Sequence, residues 1–157
     1  MSVPLLPQRL RPATIADADA IAAVFSPSRR LLKFLPELHT VEEDRWFIEH
    51  VVLKDCEVTV IEIMSAVLAF LARDGTEIRL LHTHPRWIGR GAGSLLLTHA
   101  KASKPACLEL WCFQANERAR RFYERHGFAA IAFTNGDRND EKTPDVRYRW
   151  TPPEWSS

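Results

Sequence analysis

The chain has 157 residues, with 21 Lys or Arg against 20 Asp or Glu and a net charge of +1. That balance excludes the basic footprint of a nucleic-acid-binding domain, and 46% hydrophobic residues exclude an intrinsically disordered chain. Cys56, Cys107 and Cys112 form no C-x-x-C pair, so a reducing cytoplasm is expected and a disulfide framework is not. The longest uncharged apolar run, Ile63 to Ala72, is too short to span a bilayer, so no membrane partner is expected. The N-terminus lacks the basic start and long apolar core of a signal peptide. The length predicts one domain over 1–157, working as a monomer or homodimer.

Gln8 to Pro12 reads as a short strand, followed by Thr14 as N-cap with Asp17 three residues on. Ile15, Ala18, Ile21, Ala22 and Phe25 trace a helical stripe, which Pro27 is expected to stop. Arg29 to Pro36 reads as a short helix and Glu37 to Thr40 as a loop. Thr40 and Glu43 form a capping box for a helix from about Val41 to Val52. Glu57 to Ile63 alternates as a strand, Met64-Ser65 turns, and Val67 to Arg73 leads to the Asp74-Gly75 hairpin signal.

The stretch from Glu77 to Lys101 comes next: a strand to Thr83, a turn from Pro85 to Gly93, and a helix from Ser94 to about Ser103. Gly89, Gly91 and Gly93 alternate with Arg90 and Ala92 just before that helix. Glycines permit positive φ and close approach, and a helix start offers unpaired amides, so the turn reads as a phosphate cradle. Arg90 and Ser94 supply a cation and a hydroxyl. Two standard phosphate motifs fail here. Gly93 is followed by Ser94-Leu95, which is not a Walker A loop, and neither Gly89 nor Gly91 starts a G-x-G-x-x-G series. Beyond it, Ala106 to Phe113 reads as a strand. Asn116 caps a helix carrying Ala119, Phe122, Tyr123 and His126, and Gly127 ends it. Phe128 to Phe133 is a strand, Asn135 to Asp145 a polar loop, and Val146 to Trp150 a last strand.

Two stretches together resemble the core motifs of the Gcn5-related N-acetyltransferases (GNAT). They are Leu81-His82-Thr83-His84-Pro85-Arg86-Trp87-Ile88-Gly89-Arg90-Gly91-Ala92-Gly93 and Asn116-Glu117-Arg118-Ala119-Arg120-Arg121-Phe122-Tyr123-Glu124-Arg125-His126-Gly127-Phe128. The resemblance implies an α/β fold: a mixed, mostly antiparallel sheet of six to seven strands flanked by helices, with a V-shaped splay between its two central strands. It implies acetyl-CoA as acyl donor, no metal, and transfer to a primary amine of a small molecule or peptide. Leu81, His82 and Thr83 would line the pantetheine arm, the first and last through backbone groups. Amides from Trp87 through Ile88, Gly89, Arg90, Gly91, Ala92 and Gly93 to Ser94 would hold the pyrophosphate, and Asn116 and Tyr123 would approach the pantetheine and the sulfur. The family's loop usually begins with Gln or Arg, where this chain has Ile88, so one side-chain contact is missing.

A phenol stays protonated at neutral pH and can donate as a thiolate leaves, which fits Tyr123 by position. The base stays open between Glu77, at the place of a catalytic glutamate in histone-acetylating members, and His39, an imidazole in the loop after Pro36 near the expected acceptor mouth. Phe34, His39 and Trp46 are expected near the acceptor, with acidic Glu37, Asp44, Glu141 and Asp145 around them. His82 and His84 share a strand face, but no third ligand is placed for a metal. Trp111 and Phe113 beside Cys112 mark it as a buried packing residue. The arginines from Arg118 to Arg125 read as a solvated helix face partnered by Glu117 and Glu124, with one of them free to meet a cofactor phosphate. Two other readings stand beside the enzyme: a non-catalytic acyl-CoA sensor and a protein-interaction module.

Overall fold

A computed structural model describes residues 7–153. The strands are β1 Arg9–Pro12, β2 Glu57–Ile63, β3 Ala66–Asp74, β4 Glu77–Thr83, β5 Leu108–Phe113, β6 Ala129–Thr134 and β7 Asp145–Trp150. They form one seven-stranded sheet in the order β1-β2-β3-β4-β5-β7-β6. Every neighbouring pair is antiparallel except β4 and β5. The helices are α1 Ala18–Arg30, α2 Val41–Phe47, α3 Leu53–Asp55, α4 Ala92–Ala102 and α5 Glu117–Arg125. A 3₁₀ turn, Ile15–Asp17, leads into α1, and a π turn, Ile48–Val52, joins α2 to α3.

The hairpins follow from local chemistry. Met64 and Ser65 both take positive φ, +50° and +70°, which is the two-residue turn that matches strand twist even without glycine. Gly75, at φ +60°, turns β3 into β4. Thr40 Oγ1 accepts from the Glu43 N–H at 3.1 Å and Glu43 Oε1 from the Thr40 N–H at 3.0 Å, so the capping box of α2 is complete.

Each face of the sheet carries its own core. On one face α1 and the π turn bury Ile21, Val24, Phe25, Ile48 and Val52 against Val58, Val60, Phe70 and Ala72. On the other, α4 buries Leu96, Leu97 and Ala100 against Ile61, Leu71, Leu108, Leu110, Val146 and Tyr148, and α5 adds Ala119, Phe122 and Tyr123 at its margin.

Three expectations are corrected. Pro27 does not stop α1, which runs on to Arg30. Proline removes one helical hydrogen bond, and tertiary bonds from Ser26, Ser28 and Arg30 hold the last turn in its place. Leu31 to Thr40 contains no helix; short turns such as Leu35 N–H to Leu32 O carry the chain there. The helix after the glycines starts at Ala92, with Gly91 as N-cap at φ +86°, so Gly93 lies within its first turn.

Candidate active site

β4 and β5 share a single parallel register pair, Glu77↔Glu109, beside which the Glu109 N–H donates to Thr76 O at 2.9 Å. Beyond that apex both strands run on without further pairing, and a gap opens between them. The β4 backbone that faces the gap follows from the antiparallel alternation with β3. The His84 N–H donates to Leu68 O at 2.8 Å, and His82 lies opposite Phe70 in the same hydrogen-bonded set. The amides and carbonyls of Leu81 and Thr83 therefore turn away from β3, toward the gap. Those of His82 turn toward β3.

The glycine turn lies at the open end of the gap. Gly89 and Gly91 take φ of +83° and +86°, which only glycine adopts without strain. Gly93 serves a different end: a Cβ there would meet Phe122 Cζ at 3.1 Å, so its hydrogen lets α4 lie close to α5. The Arg90 guanidinium sits 4.7 Å over the Trp87 ring, and Ile88 is partly buried beside it. The Ser94 hydroxyl is engaged with His126 Nε2 at 3.0 Å. Arg118 Nη2 would lie 3.8 Å from a Cβ on Gly89, so this arginine of α5 reaches the turn.

α5 begins with Asn116, whose Oδ1 accepts from the Ala119 N–H at 3.2 Å. It ends in a full Schellman motif. The Phe128 N–H bonds Tyr123 O at 3.0 Å, the Gly127 N–H bonds Glu124 O at 3.1 Å, and Gly127 takes φ +86°. The accompanying apolar contact is Tyr123 on Phe128, ring centroids 5.6 Å apart. Phe122 and Tyr148 flank the same phenol at 5.3 and 6.1 Å. The Tyr123 hydroxyl has no hydrogen-bond partner among the described residues, and burial, with a smaller effect of Cys112, raises its pKa above the usual phenol value. It is a protonated donor held rigidly by a helix terminus.

The model of the acetyltransferase (GNAT) domain matches residues 46–130, more than half of the chain and the part that holds this gap, turn and helix. The chain belongs to the GNAT family. No curated protein matches the sequence. Among solved structures, apo YjaB from Escherichia coli superposes with a TM-score of 0.76 at 19% identity, covering 94% of this chain and 100% of that one. A GNAT-family acetyltransferase from Bacillus cereus gives 0.73 at 16% identity over 94% and 99%. The PaiA N-acetyltransferase of Thermoplasma acidophilum, in complex with coenzyme A, gives 0.71 at 16% identity over 94% and 100%. At these identities the likeness is one of fold.

On this GNAT fold the residues expected near the acceptor separate. Phe34 reaches across to Phe113 at the end of β5, ring centroids 6.0 Å apart at 72°. His39 lies in the loop before α2, 3.7 Å from Glu43, and its carbonyl accepts from Arg30. With Arg30, Leu35 and Asp44 it lines a shallow pocket of about 190 Å³. Trp46 is 59% exposed and packs on His50 at 5.1 Å. Of the expected acidic lining, Asp44 is buried against Ser26 and Arg30, Glu141 is paired with Arg29, and Asp145 with Asn139 and Thr134. Those three carboxylates are spent on structure.

Glu77 lies at the apex and accepts from Arg147 Nη1 at 2.9 Å, while Arg147 Nη2 reaches Glu109 at 3.1 Å. Glu77 and Leu81 are four steps apart along the strand, about 13 Å. Arg149 adds a second bond to Glu109 and, with Arg147, lowers its carboxyl pKa. This network was not visible in the sequence. Alternation in VRYRW gives the two arginines one face, but only the β5–β7 register sets them opposite Glu109 and Trp111.

The His82 ring turns to the α1 face. It bonds Ser28 Oγ at 2.9 Å, stacks on Phe70 at 5.8 Å and meets Phe25 edge-on at 5.1 Å. Burial, helped by Arg29, lowers its pKa to about 4. His84 accepts from the Arg86 N–H beyond the strand end, so the two imidazoles do not act as a pair. Among the described residues no three His, Cys, Asp or Glu side chains gather as a metal site. Cys112 is buried, and burial raises its thiol to about 12. On α5, Arg120 and Glu124 are not simply solvated: Arg120 Nε donates to Tyr148 Oη at 3.1 Å, which donates to Glu124 at 2.6 Å.

Proposed function

We propose that the chain acts as one domain that transfers an acetyl or other small acyl group from acyl-CoA to a primary amine, directly and without an acyl-enzyme. The observation that carries this reading is the gap itself. One wall offers the free backbone edge of Leu81 and Thr83, its open end the Gly89–Gly91 turn before α4, and its α5 side the unpartnered Tyr123 hydroxyl.

In this reading Leu81 and Thr83 hold the pantetheine amides as an added strand would. The amides of Ile88 to Ser94 cradle the pyrophosphate, the Trp87 N–H being bonded to His84 O at 2.8 Å, with Arg90 and Arg118 as cationic neighbours. The Asn116 amide nitrogen, left over from capping, serves the pantetheine. The amine lone pair attacks the thioester carbonyl carbon, and the tetrahedral intermediate collapses by breaking the C–S bond. The proton lost by nitrogen must end on sulfur. Tyr123 stabilises the departing thiolate by donating its O–H, and its raised pKa makes full proton loss uphill, so a second proton returns to it from the nitrogen as the first leaves. The base is needed one step earlier, to take the extra proton of the incoming ammonium; Glu77, about 13 Å along β4 from Leu81, would do so through water, in competition with Arg147. His39 is the alternative base. Three free cysteines and the lack of any membrane-length helix among the described residues fit a cytoplasmic setting.

Tyr123→Phe tests the reading. The ring and its packing remain while the donor is lost, so kcat falls by roughly 10²–10⁴ and the acetyl-CoA Kd stays near the wild-type value. Unchanged turnover, with the chemical step shown to limit it, removes Tyr123 from the mechanism. Failure of acetyl-CoA to raise the melting temperature at about millimolar concentration removes the donor.

A further inference from the structure

The two faces of the gap differ in what can reach it. Tyr123 and α4 stand on one face, so the body of the donor lies there. A nucleophile must approach the planar thioester from out of its plane, and the free direction is the opposite face, where α1 packs. On that face α1 and the π turn cover β2, β3 and the Leu80–His82 part of β4, and they stop short of β5 and β7. They leave Trp111 of β5 48% exposed.

The residues around Trp111 form a connected floor. Strand alternation places Glu109, Trp111 and Phe113 on this face of β5, opposite Arg149, Arg147 and Asp145 of β7. Counting from the Glu77↔Glu109 pair, Leu81 lies across the gap from the Cys112–Phe113 end of β5. If the thioester sits beside the Leu81 backbone, as in the acyl-transfer reading, its carbon is flanked on the acceptor side by Phe113, with Phe34 packed on it. Two residues back toward the apex, about 7 Å along the strand, lies Trp111. Its ring carries the Arg147 guanidinium at 5.2 Å.

The charges of this floor cancel. Glu77 and Glu109 are matched by Arg147 and Arg149 through bonds of 2.9, 3.1 and 2.7 Å. No unpaired carboxylate remains on the floor to draw a polyamine or a lysine-rich peptide: Asp44, Glu141 and Asp145 are already engaged, and Glu37 lies off it, in the pocket of about 190 Å³ beside Arg29, Arg30 and Lys33. What the floor offers instead is ring surface, from Phe34, Phe113 and Trp111. We propose that the acceptor is a primary amine carried on a flat aromatic group by a linker of two or three carbons, its ring on Trp111 and its nitrogen beside Phe113. The proposal rests on the acyl-transfer reading above and names the substrate class of that same site.

The test uses the whole chain with acetyl-CoA and measures CoA release with phenethylamine, tryptamine, spermidine and a lysine-containing peptide. Phenethylamine or tryptamine is expected to give a kcat/KM at least about ten-fold above the other two. Trp111→Ala is expected to raise the KM for tryptamine roughly ten-fold, because stacking and burial of the ligand ring are lost together. Trp111→Phe, which keeps a ring on the strand, should recover most of that loss, and circular dichroism of both variants checks their folding. A preference for spermidine or the peptide, or an unchanged tryptamine KM in a folded Trp111→Ala, overturns the proposal and leaves acyl transfer standing. Turnover of none of the four amines by protein that binds acetyl-CoA also overturns it. Absence of acetyl-CoA stabilisation in a thermal shift removes the acyl-transfer reading itself, and this proposal with it.

Discussion

His82 makes the stability of this fold depend on pH in a direction that can be worked out. Its ring is wedged between Phe25 and Phe70, with Ser28 Oγ on Nδ1 and Arg29 nearby, and its pKa is lowered from 6.5 to about 4. The folded state therefore resists a proton that the unfolded chain accepts freely. Above pH 6.5 neither state is protonated and the effect is absent. As pH falls below 6.5 the unfolded chain gains a proton first, so stability drops, and the drop levels off below about pH 4. The full difference corresponds to about 3 kcal/mol, and the part lost between pH 7 and pH 5 to about 2 kcal/mol. Urea unfolding of wild type and His82→Gln at both pH values isolates the contribution, since other groups cancel in the difference. The variant is expected to lose about 2 kcal/mol less than wild type over that interval. A difference that does not change with pH means that the imidazole titrates normally in the folded protein, and that the wedge between α1 and β3 is open to water.

Two further outcomes follow from the glycines. Gly91→Val should weaken acetyl-CoA binding more than Arg90→Ala in a calorimetric titration, because a branched side chain at φ +86° distorts the amide turn, whereas Arg90 is occupied with Trp87. Gly127→Ala should lower unfolding free energy by about 1–2 kcal/mol for the left-handed backbone alone. Its Cβ would also press on Trp150 Cδ1 at 3.3 Å, and denaturant unfolding measures the sum.

The sequence carried the fold nearly whole because most of its signals are local. The alternation of Glu57–Ile63, the Thr40–Glu43 box, the Asp74-Gly75 turn and the Asn116 and Gly127 caps each specify their element with little outside help. The Pro27 error falls where distant contacts override local preference. Pro27 reads as a stop, yet α1 continues because its last turn is bonded to α2 and β4. The glycine turn, Asn116 and Tyr123 were legible for the same reason as the fold, since each sits at a helix end. The contacts around Phe34 and Glu77 were not, although the sequence singles out both residues. Arg147 joins Glu77 across 70 positions, and Phe34 meets Phe113 from a loop with no regular structure. No periodicity records such pairs.

That last turn of α1 explains how the 31–40 loop, which has no helix, can hold Phe34, the residue proposed for the acceptor, in place. Ser26 and Arg30 bond Asp44 of α2 at 2.7 and 3.0 Å, Ser28 bonds His82 of β4, and Arg29 bonds Glu141 before β7 at 2.7 Å. The helix end is thus tied to three separate elements just before the chain enters the 31–40 loop. Asp44 is the least replaceable of these partners, being only 3% exposed and accepting two bonds. In Asp44→Ala the buried Ser26 hydroxyl loses its acceptor, while the Arg30 guanidinium, whose side chain is 30% exposed, can still turn to water. The expected loss is therefore about 1–3 kcal/mol, below the cost of breaking a fully buried pair. Asp44→Asn should recover part of it by keeping an acceptor for Ser26. Because the tie fixes the entry to the loop, Asp44→Ala should also raise the acceptor KM, while acetyl-CoA affinity holds at the Gly89–Gly91 turn. A loss below about 0.5 kcal/mol, the range of ordinary surface substitutions, would mean that packing of Phe25 and Ile21 alone holds the end of α1, and that the loop takes its position from Phe113.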